Sequence, residues 1–107
     1  KCLLAFGRDV DLSVYEAHPL SVYTEYTIST VEKLKEELQD VREKGYAIDR
    51  EELELGLTCI GAPILDRSGH AIAAISLSGP KSRMLAGDFC ERVRAVTEAA
   101  RKISANF

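Results

Sequence analysis

The sequence predicts an α/β domain of the α+β kind, an antiparallel sheet with a central hairpin covered by helices. Three observations carry that prediction. Two apolar runs, Thr58 to Leu65 and Ala71 to Gly79, flank Asp66-Arg67-Ser68-Gly69. Asp and Ser favour turns by bonding nearby backbone, and Gly supplies the positive φ of a tight reversal. Upstream, Val31, Leu34, Leu38 and Val41 recur at helical spacing. Downstream, Phe89, Val93, Val96, Ala100 and Ile103 do the same. One hairpin between two amphipathic helices is a sheet with something to cover it.

In chain order, Lys1 to Phe6 reads as the end of a helix stopped by Gly7, and Asp9 as the cap of a second helix, Val10 to Ala17, closed by Pro19. Residues 19–29 have no clean period and read as an ordered loop, with the Tyr23 and Tyr26 rings packed on the core. Ser29-Thr30-Val31-Glu32 fits a capping box for a helix from Ser29 to Lys44 that ends at Gly45. Tyr46 to Asp49 is a short strand, and Glu51 to Leu55 a loop with a helical turn. The hairpin arms are rich in Ile, Leu and Ala, which predicts at least partial cover on both faces and a buried central hairpin. Lys81 to Gly87 is a connector, and residues 87–104 form the closing helix.

With 107 residues the chain is expected to be one domain, residues 1–107, with a core of its own. A net charge of −3 and the absence of a basic, aromatic-interleaved patch argue against direct nucleic-acid binding. Three cysteines without a CxxC pair suit neither a disulfide framework nor a zinc site, and point to a reducing cytoplasm. No apolar run approaches the roughly 20 residues that cross a bilayer, so no membrane is expected. The chain opens abruptly in an apolar helical phrase, KCLLAF, which reads as a cut from a longer polypeptide.

Enzyme signatures are sparse. The sequence has no GxSxG, Walker A, GxGxxG or HExxH motif. His70 and Ser76 lie six apart on one strand, roughly 20 Å, too far for a nucleophile–base pair. Asp49, Glu51, Glu52 and Glu54 read either as a metal or acid/base cluster or as a solvated loop, with Asp49 the one that closes an apolar phrase. Cys59 reads as a small core residue. Ser76 and Ser78, two apart, turn their hydroxyls to one face beside Ala74, either as satisfied core groups or as the floor of a pocket.

Residues 45–84 then become specific. Gly45-Tyr46-Ala47-Ile48-Asp49, Glu51-Glu52, Gly56, Cys59, Ala62-Pro63, Ser76-Leu77-Ser78-Gly79-Pro80 and Ser82-Arg83 follow in an order that resembles the effector-binding domain of IclR-family transcription regulators. TISTVEKLKEELQDVREKGY and KCLLAF resemble the helices that precede this motif. The resemblance implies a GAF-like, profilin-like fold that binds a small organic acid, with no catalysis and no cofactor. It implies that operator DNA is contacted only by an N-terminal winged helix-turn-helix absent from these residues. It also implies that the first part of the effector domain is missing. Sheet edges left unpaired without the preceding segment predict a homo-oligomer, dimer or tetramer. Carried over by motif position, the effector-binding residues are Asp49, Cys59, Ser76 and Ser78. The competing readings are a GAF-like redox enzyme using the Cys59 thiol and a purely structural dimerisation domain.

Register decides whether those residues can meet. Pairing Asp66 with His70 across a three-residue loop puts Cys59 opposite Leu77, facing away from both serines. A two-residue loop, or a bulge near Gly61 to Pro63, pairs Cys59 with Ser76 instead, and Pro63 cannot donate to a ladder. The expectation is that Cys59, Ser76 and Ser78 face one cavity.

Overall fold

The computed structural model describes all 107 residues, Lys1–Phe107. Its elements are α1 (Cys2–Phe6), α2 (Val14–Ala17), α3 (Val31–Lys44), β1 (Ala47–Arg50), β2 (Leu57–Leu65), β3 (Ala71–Pro80), α4 (Lys81–Met84) and α5 (Phe89–Ser104). The three strands form one antiparallel sheet in the order β1-β2-β3. Alternate residues of β2 point to opposite faces, and each face has its own core. On one side Cys2, Ala5, Leu34, Leu38, Val41 and Ala47 pack α1 and α3 against β1. On the other, Ile60 and Ala62 pack against Val96 and Ala100 of α5 and Met84 of α4.

α3 forms because its apolar stripe finds a core: Leu34, Leu38 and Val41 are all buried. Burying each such side chain is worth roughly 1.5–3 kcal/mol, more than propensity differences along the helix supply. Its cap is displaced by one residue from the expected box. Thr30, not Ser29, is the N-cap, and its hydroxyl accepts from the Lys33 amide at 3.2 Å. Gly45 ends the helix at φ 84°, a left-handed conformation that turns the chain directly into β1. α5 is capped by Asp88, whose carboxylate accepts from the Glu91 amide at 3.3 Å. At its other end the Ser104 hydroxyl accepts from the Leu65 amide (2.9 Å) and donates to the Ala100 carbonyl (2.7 Å), tying α5 to the far end of β2.

The turn behaves as its residues predict. Asp66 accepts from the amides of Ser68 and His70, at 2.9 and 3.0 Å. The His70 bond in particular holds the Asp66 carboxyl below the usual carboxylate range. Register does not follow from the turn alone. Leu65 pairs with Ala71 but Ile64 pairs with Ala73, so Ile72 is an extra residue bulged out of β3. Cys59 is therefore opposite Ser78, not Leu77 or Ser76, and the bulge lies on the other strand from the one expected.

Other expectations are corrected by burial. β3 is an edge strand, with Ile72 and Leu77 exposed, so the second hairpin arm is not the buried strand expected. The Tyr23 and Tyr26 rings are 65% and 53% exposed. Loop 19–29 is held by threonine hydroxyls instead: Thr24 donates to the Glu51 carbonyl at 2.6 Å and Thr27 to that of Glu52. The second helix is shorter than expected and starts after Ser13, not at Asp9. Part of the connector after Pro80 folds into α4.

Two outcomes test this account. Thr30→Ala should lower stability by about 1 kcal/mol in urea unfolding, while Ser29→Ala should leave it nearly unchanged. Deleting Ile72 closes the bulge while keeping Ile64 opposite Ala73 and Cys59 opposite Ser78. It should cost about 1 kcal/mol or less, with the thermal transition still cooperative.

Candidate effector-binding site

The register places the four expected residues on one face of the sheet. Asp49 pairs with Cys59 and Cys59 with Ser78, so these three form one rung across β1, β2 and β3. The next rung is Ala47–Gly61–Ser76. Cross-strand partners share a face, and residues two apart along a strand share it too. Above these rungs, against α1, lies an open cavity of about 320 Å³.

Its floor is made shallow-walled by small residues, Ala47, Gly61 and Ala74, and one side is closed by Cys2 and Leu3 of α1. Gly61 matters for depth: a methyl there would already be in contact with the Cys2 sulfur, 3.6 Å away. Asp49, Cys59 and Ser76 all line the cavity. Ser78 does not. It stands at the end of its rung on the exposed edge, beside a neighbouring hollow formed by residues 54–57, Gly79 and Pro80. The reason is that α1 covers the rungs only as far as Ser76, leaving the Ser78 side of the edge strand open.

The polar groups of the cavity divide into spent and free. Lys1 Nζ donates to Glu37 Oε1 (3.1 Å), Glu52 Oε2 (2.6 Å) and the Ile48 carbonyl (2.6 Å), which uses all three ammonium protons. This ties α1 to α3 and β1 at the cavity rim. Glu52 Oε2 also accepts from the Arg50 amide at 3.0 Å. Asp49 Oδ1 accepts from the Glu52 amide at 2.9 Å, which orients the carboxylate, and Oδ2 has no hydrogen-bond partner in the protein. The Ser76 hydroxyl and the Cys59 thiol make no side-chain hydrogen bond, and no side-chain oxygen or nitrogen is sealed away without a partner. The cavity thus offers a carboxylate acceptor on the β1 side and a hydroxyl donor on the β3 side, across a thiol.

Lys1, Cys2, Leu3 and Gly61 are lining residues that motif reading passed over. Gly61 could have been found, since it lies two residues beyond Cys59. The α1 residues read as helix but gave no sign of the cavity, because their placement over it depends on packing some 60 residues away in sequence.

Comparison with known proteins settles the family. Residues 1–105 match the family described as bacterial transcriptional regulator IclR C-terminal. The chain belongs to the IclR family. It forms the C-terminal, effector-binding domain of such a regulator. It is 42% identical over 105 residues to the HTH-type transcriptional regulator BhcR of Paracoccus denitrificans, covering 97% of this chain and 38% of that protein. It is 43% identical over 106 residues to the HTH-type transcriptional regulator KdgR of Escherichia coli, covering 98% and 40%. The crystal structure of the C-terminal domain of KdgR superimposes with a TM-score of 0.84, over 97% of this chain and 64% of that one. This IclR domain therefore spans about two fifths of the curated relatives it matches. IclR-family regulators contact DNA through an N-terminal domain, and these relatives are regulators, not enzymes.

The three thiols of the domain are in graded environments: Cys90 exposed, Cys59 half-buried and Cys2 buried. Burial raises the Cys2 thiol above its usual value. A maleimide titration followed by peptide mapping should modify Cys90 first, Cys59 more slowly and Cys2 last. The Cys2 rate should rise toward its plateau at a higher pH than that of an ordinary cysteine thiol.

Proposed function

We propose that the hollow over Asp49, Cys59 and Ser76 takes a small organic acid, with Ser78 reached at its open rim. The observation that supports this best is the pair of adjacent rungs, Asp49–Cys59–Ser78 and Ala47–Gly61–Ser76, which sets acceptor, thiol and hydroxyls side by side over a floor of small residues. Charge argues for one orientation. The cavity's ammonium is already committed to two carboxylates, so the acid end of the ligand belongs at the hydroxyls of Ser76 and Ser78. A ligand hydroxyl then faces the free oxygen of Asp49, which accepts it; an anionic group there would be repelled. A hydroxy acid or a hydrated 2-keto acid meets both demands.

No nucleophile–base pair accompanies Cys59, and the domain on this reading is a sensor without catalysis. Acid binding stabilises one arrangement of the whole regulator over another, by the difference in affinity between the two, and so sets its hold on operator DNA. The regulator acts as a homo-oligomer in the cytoplasm; no helix is long and apolar enough to cross a membrane.

A thermal-shift panel of 2-keto, hydroxy and aromatic acids tests the proposal. At least one hydroxy or 2-keto acid should raise the transition temperature. Ser76→Ala should weaken that acid about fivefold, and Ser78→Ala by less, since each removes one donor at a different distance from the cavity centre. A hit unchanged in both variants would move the site elsewhere.

A further inference from the structure

A second hollow, of about 380 Å³, lies on the opposite face of the sheet. β1 is the wall between the two. Asp49 faces the first cavity, while its neighbours Ile48 and Arg50 turn to the second. The body of the second hollow is apolar, with Ile48 on one side and Leu85 and Phe89 on the other.

Its polar features do not look like packing. Thr58, from the centre of the sheet, is only 3% exposed. Its hydroxyl makes no hydrogen bond within the protein, yet no side-chain oxygen is sealed without a partner, so this one opens into the hollow it lines. Open to the hollow, that hydroxyl is free to donate to a ligand or to water there. Arg50 is its direct cross-strand partner, on the same face. The Arg50 guanidinium approaches only Glu37, at 3.9 Å, and keeps its donors otherwise uncommitted. Lys81 also lines the hollow but pairs with Glu51 at 3.2 Å, and Glu51 is held in place by the Gly56 amide at 3.0 Å. Each cation thus has a carboxylate partner, and what the hollow offers is the uncommitted donors of Arg50 beside an unpaired hydroxyl, at the end of an apolar slot.

We propose that this hollow is a second ligand site, for a small monocarboxylate with a flat apolar body. The carboxylate bridges the Arg50 guanidinium and the Thr58 hydroxyl, a fork and a single donor that match its two oxygens. The body lies between Ile48 and the Leu85–Phe89 wall. Because β1 is only four residues long and lines both hollows, a ligand here bears on the strand that carries Asp49. This inference stands apart from the reading of the first cavity, since it uses none of that cavity's side chains.

The test is amide NMR of the 15N-labelled chain titrated with benzoate and, separately, with the neutral isostere benzamide. Benzoate should move the amides of Ile48, Thr58, Leu85 and Phe89, and benzamide should bind at least about tenfold more weakly. Arg50→Gln alters an exposed side chain, and Thr58→Val keeps the shape of the buried one. Each should leave the spectrum folded and weaken benzoate about five- to tenfold. Equal binding of benzoate and benzamide, or benzoate affinity unchanged in both variants, would overturn the proposal. Shifts confined to Asp49, Cys59, Gly61 and Ser76 would also overturn it, placing benzoate in the first cavity. An absence of any shift at millimolar benzoate would do so as well.

Discussion

A single unpaired residue decides which side of the sheet carries the chemistry. The Asp66–Gly69 turn pairs Leu65 with Ala71, and an unbroken ladder from there would turn both serines of β3 toward α5. The bulge at Ile72 absorbs one residue and reverses that parity, so Ser76 and Ser78 join Cys59 and Asp49 on the α1 face. A one-residue slip moves every side chain of a strand to the other face. The same shift puts Ile75 toward the α5 core, where it packs against the buried cluster. Core and cavity therefore depend on one irregularity, and each makes the alternative register unfavourable for the other.

The sheet is thin where it works. Four residues of β1 separate the cavity that holds Asp49 from the hollow that holds Arg50. Its central neighbour, β2, presents Cys59 and Gly61 to one side and Thr58 and Ile60 to the other. In an IclR domain this gives two concave surfaces a common wall. Lys1 reinforces that wall from above, because its three bonds join α1, α3 and β1 at one point. The loop before α3 reinforces it from the side, through Thr24 and Thr27 on the carbonyls of residues 51 and 52.

Much of the fold was legible where the cause is local. The stripes of α3 and α5, the Gly45 stop, the Asp66 turn and the order of the strands all rest on spacings of a few residues, and the structure has them. The Ser29 cap was misplaced by one residue because Ser29, Thr30 and Glu32 satisfy two overlapping patterns, and only the chain's entry direction selects Thr30. The tyrosines of loop 19–29 looked like core residues by type. Their hydroxylated neighbours, not their rings, found partners. The motif positions Asp49, Cys59 and Ser76 converge as expected, while Ser78 shares their face without sharing their cavity.

By itself, the sequence determined which segments are helix and strand, where the chain reverses, and the family to which it belongs. These depend on side-chain period, turn chemistry and the order of motifs along the chain. Tertiary structure alone decided the bulge, the exposure of β3, the reach of α1 over the rungs and the pairing of Lys1 with Glu37 and Glu52. Each of those balances contacts between residues tens of positions apart, and no local pattern records such a balance.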